Sequence, residues 1–495
     1  MNTMLIREHN CLYEILPLPE KITPAEGAFE LNCPVAVAAP EKYSFQAERL
    51  KKAMAHFDMT CGAASQVIRL AEDPALPPDG WKITVAEHLV AVNASNDAGM
   101  TYGVSAVIQM LAVATTAGKG RFLAMTCGAA EAAPRFAWRG FMLDSARHFR
   151  SRETILKLLH VMAHFRYNVF HWHLTDNESW RTPSRVAPEL SAHGELQDGA
   201  YSYEDIAAIR ETAGALNIRI VPEFDLPGHS RRLIRVLPET GCVSGAGDEI
   251  CIGRKSVRDK LGELLDEFMG LFPDSTEIHL GGDEADSKHW EACPDCRKAL
   301  KERGLSSVRE LEHEFVLSRV RQVQSSGRRA IVWNDAGLYP ADVIVQIWVE
   351  KNRLETLKNG NQVIMSPCGR CYLDRLYDWE LQLVDFQNYL EVQDNYLYDP
   401  YTGHEDFRNQ ILGVECCAWG GYLAERRLFN KILPRMTALS EVCCGDPRQK
   451  VWSSFVRRDA RQRDAGSESI WQDRGADDSR AHARASAAKA SPRSR

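Results

Sequence analysis

The run Ile278-His279-Leu280-Gly281-Gly282-Asp283-Glu284 ends an apolar segment on two glycines and two adjacent carboxylates. Glycines at such a point let a ligand approach the backbone, and a pair of acids at a strand tip outlines an acid–base site. The same pair also fits a solvated strand-to-helix turn, with Asp283 or Glu284 capping the next helix. The accompanying residues decide between the two. Asp144 and Arg147, then His171, His173 and Asp176, then Glu223, Asp225 and His229 each close a short apolar run. Trp333, Trp348 and Trp419 close three more, and Tyr372 and Asp374 follow another. Carboxylates with one Arg and several Trp have the chemistry of a sugar site. Indole faces pack on the C–H face of a pyranose, while Arg and Asp hold its hydroxyls by charge-assisted hydrogen bonds.

These residues need elements to position them. The apolar runs predict strands at residues 140–144, 169–174, 219–225, 276–281, 330–333, 343–348, 362–366 and 411–419. Between the first two, Ile155, Leu158, Leu159, Met162 and Phe165 keep the spacing of a helix with one buried face, as do Val257, Leu261, Leu264, Leu265 and Phe268 before the acidic motif. Parallel strands need crossover helices, so residues 134–455 read as α/β: a (β/α)8 TIM barrel, the catalytic domain, whose functional groups gather at the C-terminal ends of its strands. Residues 1–133 mix strand-like runs at 81–85 and 89–92 with a helical stretch at 102–111, which predicts a small α+β domain ahead of the barrel. From 456 to 495 Arg, Ala, Ser and Asp dominate and apolar periodicity is lost, which predicts a disordered tail.

At 495 residues, 44% hydrophobic and 26% charged, the chain is long enough to bury a large core. A formal charge of −7 supplies no basic field for nucleic acid, and no run reads as a membrane span. The opening residues lack a basic stretch followed by an apolar one, so no secretory signal is predicted and the cytoplasm is the expected location. The 14 cysteines then point to thiols or metal rather than to a disulfide framework. Cys416-Cys417 reads as core, while Cys293-Pro294-Asp295-Cys296 and Cys368-Gly369-Arg370-Cys371 have the Cys-x-x-Cys spacing. Cys242 and Cys251 lie in the connection before the acidic strand, so a βα array sets them on a loop next to Cys293 and Cys296. Four thiolates there suit a closed tetrahedral zinc site, with unligated thiols as the alternative.

Four segments carry a resemblance: Arg139-Gly140-Phe141-Met142-Leu143-Asp144-Ser145-Ala146-Arg147, His171-Trp172-His173-Leu174-Thr175-Asp176, Pro222-Glu223-Phe224-Asp225-Leu226-Pro227-Gly228-His229 and His279-Leu280-Gly281-Gly282-Asp283-Glu284. In order and spacing they resemble the signature segments of family-20 glycoside hydrolases, the β-N-acetylhexosaminidases. Tyr372-Leu373-Asp374 and Gly413-Val414-Glu415 with Trp419 extend the match through the barrel. It reaches the N-terminal domain more weakly and stops at the tail.

The resemblance implies a retaining exo-hydrolase that removes terminal β-linked N-acetylglucosamine or N-acetylgalactosamine (GlcNAc, GalNAc), with the substrate's own acetamido oxygen as nucleophile and an oxazolinium intermediate. By that resemblance Glu284 is the general acid and then base, Asp283 orients the acetamido N–H, and Tyr372 donates to the acetamido oxygen. Trp333, Trp348 and Trp419 would box the acetyl group, Arg147 would hold the C3 and C4 hydroxyls, and Asp374 the C4 or C6 hydroxyl. Asp176 and His229 would support the acid. No cofactor is implied for catalysis, so any zinc would be structural. The chain departs from the pattern at Gly420-Gly421, where a Glu usually stands two residues beyond the Trp, at Asn177, where a second Asp often follows, and at Asp335, where Glu is usual. Two other classes compete: a metal-dependent TIM-barrel hydrolase, suggested by His171-Trp172-His173, and a catalytically inactive amino-sugar-binding protein, against which both Asp283 and Glu284 speak.

Overall fold

A computed structural model describes residues 10–466 except 32, 119–122, 193–198, 244–245, 336, 376–388 and 422. Strands β1 (Lys21–Glu30), β2 (Val35–Ala38), β3 (Gln66–Glu72), β4 (Trp81–Ala86), β5 (Leu89–Ala94) and β6 (Ala124–Ala132) make one sheet in the order β1-β6-β4-β5-β3-β2. The helix Asp97–Gly118 packs on β4, β5 and β6, and also touches the first barrel helix, Arg152–His164. Its segment Asp97–Thr115 is long and apolar enough to cross a membrane, which corrects the reading that no run approaches a span. That segment is 89% buried within the protein, so its all-round apolarity is that of a core helix.

The second unit is a closed barrel, as the strand alternation predicts. Its strands are β7 (Trp138–Asp144), β8 (Val169–His173), β9 (Arg219–Glu223), β12 (Glu277–His279), β13 (Arg329–Trp333), β14 (Ile344–Ile347), β15 (Val363–Met365) and β16 (Ile411–Ala418), with a hairpin of β10 (Gly241–Val243) and β11 (Ala246–Ile250) in the connection after β9. All neighbouring barrel strands pair in parallel. Side chains fill the interior in layers. Trp138, Val169, Val221, Ile331, Ile344 and Ile364 form an apolar floor. Buried His171, Glu223, His279, Gln346 and Glu415 bring polar groups into the barrel, and Met142, Trp333, Tyr372 and Cys417 form an upper cluster against which Trp348 and Trp419 pack. Gly140 is required here, because a Cβ on it would lie 2.1 Å from Glu415 Oε2.

The chain does not lose its structure at 456. A helix runs from Trp452 to Asp464 and buries Phe455, Arg458, Asp459 and Gln462. Arg458 donates to Glu441 Oε1 at 2.5 Å and to the Ile15 carbonyl at 3.1 Å, tying both chain ends to the helix Leu428–Cys444. The predicted tail is thereby corrected over its first residues, and 467–495 lie outside the described residues.

Candidate active site

Strand β12 is shorter than the predicted 276–281, and the chain turns where Gly281 and Gly282 take φ of +65° and +96°, outside the extended region. The turn is tight, and a Cβ on Gly281 would lie 1.7 Å from Asp225 Oδ1. Glu284 then has φ +50°, as does His229 across the mouth. Both are non-glycine residues in the left-handed region, a conformation that persists only where the surroundings over-determine it. His229 Nε2 lies 3.6 Å from Asp283 Oδ2 and 3.8 Å from Glu284 Oε2. The Glu284 N–H donates to Asp335 Oδ2 at 3.0 Å, and Asp335 Oδ1 accepts from Trp348 Nε1 at 3.0 Å. Asp283 is buried, and its Oδ1 has no hydrogen-bond partner among the described residues, whereas the Glu284 side chain is 57% exposed.

A chain of charge runs inward from this pair. Asp176 Oδ1 lies 3.2 Å from His229 Nδ1, and its Oδ2 lies 2.8 Å from His173 Nε2 and 2.7 Å from Arg147 Nη2. Arg147 also meets Asp144 Oδ2 at 3.1 Å. Burial works against the charged form of His229, but Asp225, Asp176 and Asp283 outweigh it and hold its pKa well above the ordinary histidine value. Asp225 moves the other way: burial first, then the Asp283 charge, push it well above the carboxylate range. Deeper still, His173 bonds Glu223, whose Oε1 accepts from Trp333 Nε1 at 2.8 Å.

The three predicted tryptophans gather at this mouth. The Trp333 and Trp419 ring centroids are 6.0 Å apart, and Tyr372 lies 5.9 Å from Trp419. The Arg147 guanidinium covers Trp419 at 5.1 Å. The Trp419 N–H donates to Asp374 Oδ1 at 3.4 Å, and burial lifts the Asp374 pKa to about 6. Gly420 donates its N–H to Asp144 Oδ2 at 2.8 Å, while Gly421 faces open space. No residue of the described chain replaces the acid missing at 421 in that loop. All ten predicted catalytic and substrate-binding residues thus lie at the C-terminal end of the barrel or on the loops that leave it.

Sequence reasoning missed a cavity of about 260 Å³ beside Glu284, lined by Gly282, Ala285, Arg309, Glu312 and Asp335. Arg309 and Glu312 sit in the first turns of the helix Val308–Ser325 and carry no motif, so only the three-dimensional contact reveals them. His171 and His173, the basis of the metal-hydrolase alternative, face carboxylates of the protein on both sides: His171 lies 2.7 Å from Glu415 and 3.1 Å from Glu223. The His171 Nδ1–Glu415 and His173 contacts are hydrogen bonds, whereas His171 Nε2 faces Glu223 without one, and His171, Glu223 and His279 lie close enough together to hold an ion.

The four cysteines named from sequence do meet. Sγ atoms of Cys242 and Cys296 are 3.8 Å apart, Cys251 and Cys293 3.7 Å, and Cys251 and Cys296 3.8 Å, with all four within 4.8 Å of one another. Zinc–thiolate bonds of about 2.3 Å at tetrahedral angles set the sulfurs about 3.8 Å apart. The pair Cys368 and Cys371 joins no such group among the described residues.

Neither the barrel nor the hollow alone would settle the class. A solvent-facing carboxyl beside a buried carboxylate with an open oxygen, at a barrel mouth where Trp333, Trp348, Trp419 and Tyr372 cluster, is the equipment of a glycoside hydrolase. The chain belongs to glycosyl hydrolase family 20, whose catalytic-domain model matches residues 136–445 and whose domain 2 model matches residues 12–127. It is similar to a beta-hexosaminidase of Porphyromonas gingivalis, 28% identical over 491 residues that cover 92% of this chain and 63% of that protein, so it spans less than two thirds of this relative. A beta-hexosaminidase of Vibrio furnissii is 28% identical over 469 residues, covering 86% of this chain and 76% of that protein. The beta-N-acetylhexosaminidase structure from Bacteroides fragilis superposes with a TM-score of 0.78 at 28% identity, over 91% of this chain and 94% of that one.

Gly281→Ala tests the turn. The added methyl meets Asp225 in a backbone conformation hostile to alanine, so the Asp283-Glu284 loop must shift. A kcat loss of about a hundredfold or more is expected, because misplacement by about 1 Å costs that order. Wild-type kinetics with a folded circular dichroism spectrum would contradict the assigned geometry.

Proposed function

We propose that the protein is a retaining exo-β-N-acetylhexosaminidase that removes terminal β-linked GlcNAc or GalNAc with the substrate's acetamido oxygen as nucleophile. The observation that carries this reading is the pairing of Asp283 and Glu284 on one turn, the first buried with an open carboxylate oxygen and the second solvent-facing. Two neighbouring carboxylates act on one side of a sugar and do not flank it as an acid and a protein nucleophile must. Family membership and the beta-hexosaminidase names of its relatives support the same reading.

In the first step the acetamido oxygen attacks C1 as the glycosidic C–O bond breaks. The departing oxygen keeps the bonding pair and takes the Glu284 proton. Asp283 accepts the acetamido N–H and balances the positive charge that grows on the oxazolinium ring. Tyr372 donates to the acetamido oxygen, and Trp333, Trp348 and Trp419 surround the methyl group. Water then gives its proton to Glu284 and adds to C1, which reopens the ring with retention. Arg147 meets the C3 and C4 hydroxyls, and Asp374 the C4 or C6 hydroxyl. Asp176 holds His229, which faces both acids. With glycine at 421, the contacts to the C4 hydroxyl fall to Arg147 and Asp374.

The four gathered thiolates hold, in this reading, one structural zinc ion that takes no part in bond making. Sulfur separations of 3.7 to 3.8 Å support it.

Glu284→Gln is expected to lower kcat by about 10²- to 10⁴-fold on an unactivated glycoside and far less on a dinitrophenyl one, because only a poor leaving group needs the proton. Equal losses on both substrates would remove Glu284 from the acid role. A thiazoline mimic of the oxazolinium ring should bind far more tightly than substrate. Asp283→Asn should weaken that mimic by about ten- to a hundredfold, the worth of one charge-assisted hydrogen bond; a covalent glycosyl adduct on a protein carboxylate would sink the mechanism. Metal analysis should find about one zinc per chain, with Cys296→Ser lowering both zinc content and Tm. Metal-free protein isolated without chelators would end the zinc reading.

A further inference from the structure

The connection after β12 carries Asp283 and Glu284 and runs through Asp286, His289 and Trp290 to Cys293 and Cys296. The connection after β9 carries His229 and runs through Arg231 to the hairpin β10–β11, beside which Cys242 and Cys251 stand. The two connections therefore meet twice, at the acid pair and at the four sulfurs.

Hairpin residues hold the stretch between these meeting points. The Asp286 N–H donates to Glu249 Oε1 at 3.1 Å, and Glu249 Oε2 faces His289 Nδ1 at 3.4 Å. Trp290 is fully buried and donates its Nε1–H to the Ile250 carbonyl at 2.8 Å. On the other side Asp248 accepts from Arg231 Nε and Nη2 at 2.6 Å each, and its carbonyl accepts the Ser230 N–H at 2.8 Å. Arg231 donates its own N–H to Asn177 Oδ1 at 3.1 Å, which brings in the loop after β8. The sulfur end is packed too closely for play, since a Cβ on Gly253 would lie 2.5 Å from Cys296 Cα.

A two-stranded hairpin is marginal by itself and cannot be a rigid post without a staple. Strand β12 spans only Glu277–His279, and its backbone bonding to β13 ends at Gly281, whose carbonyl accepts the Trp333 N–H at 2.9 Å, so Glu284 lies three residues beyond the barrel's last backbone hold on this loop. Glu284 nonetheless keeps a left-handed φ of +50°, which surrounding structure must enforce. We propose that the four-thiolate centre is the anchor that positions Glu284: bound metal fixes Cys242 and Cys251 of the hairpin to Cys293 and Cys296 of the acid loop, and Glu249 transmits that fixed distance to Asp286, two residues beyond Glu284. This proposal rests on the zinc reading above and adds a catalytic consequence to it. Glu249 is a positioning residue, since it touches no reacting atom. Loss of the anchor should impair proton delivery to the leaving group, while the hydroxyl contacts of Arg147 and Asp374, built on other loops, stay intact.

The test measures kcat and KM on an unactivated disaccharide of GlcNAc and on a dinitrophenyl β-N-acetylglucosaminide, before and after zinc is stripped with a chelator and then restored. The expected result is a kcat loss of about tenfold or more on the disaccharide, little change on the activated substrate, KM unchanged, and recovery with added zinc. Should the stripped protein unfold, Glu249→Ala serves instead, and it should give the same leaving-group-dependent loss while retaining about one zinc per chain. Protein that carries zinc as purified, yet whose kinetics are unchanged, or equally impaired on both substrates, after stripping and in Glu249→Ala, overturns the positioning role and leaves the zinc reading standing. Protein isolated without chelators and free of zinc overturns both.

Discussion

Glu223 is the buried charge around which the site is assembled. It is fully buried, and an isolated carboxylate there would be prohibitively costly to ionise. His173 bonds one oxygen, His171 lies 3.1 Å from it, and His279 and Trp333 reach the other at 3.0 and 2.8 Å. Burial raises its pKa, but the three histidines more than reverse this and hold it well below the usual range. His173 answers in kind and is held well above the ordinary histidine value, while at His279 burial prevails and lowers it. His171 resists burial through Glu415 and Glu223 and is raised to about 9. Because these partners come from β8, β12 and β13, a single carboxylate couples the orientation of Trp333 in the proposed acetyl box to His173, and through Asp176 to His229 at the acid pair.

That coupling explains why strain is tolerated at the mouth. His229 and Glu284 both have φ of +50° and face each other across 3.8 Å. Each is held by a contact from a different strand end, Asp176 for the histidine and Asp335 for the Glu284 backbone. A relaxed loop would place neither group. The barrel supplies rigidity below, and the hairpin β10–β11 supplies it from the side.

The sequence is legible where burial follows a simple period. Barrel strands lie between a packed interior and a ring of helices, so they read as short continuous apolar runs, and their ends point to the site. The helix Trp452–Asp464 escapes this reading because its buried face includes Arg458, Asp459 and Gln462, which are satisfied by Glu441, Thr437 and the Glu14 carbonyl rather than by apolar contact. Glu249 and Arg309 escape it for another reason: each meets the acid loop only through a residue distant in sequence. The four cysteines stand between these cases, since chain order could put them on adjacent loops but only folding sets the sulfur spacing.

The two ends of the proposed sugar site differ in how firmly they are built. At the acetamido end Trp333, Tyr372 and Asp283 are buried, and each is backed by a group from another strand or loop. At the C4 and C6 end Arg147 is partly spent on Asp144 and Asp176, burial pushes the Asp374 carboxyl up to about 6, and Gly421 leaves open space where the family usually has an acid. Gly420 is itself constrained, because a Cβ there would come within 3.1 Å of Asp144 Oδ2 and of the His148 nitrogen. The loop thus lies close over Asp144 and carries no side chain toward the sugar at 420 or 421. The proposed sugar site therefore has its preorganised polar and aromatic groups at the acetamido end, where discrimination between substrates would concentrate.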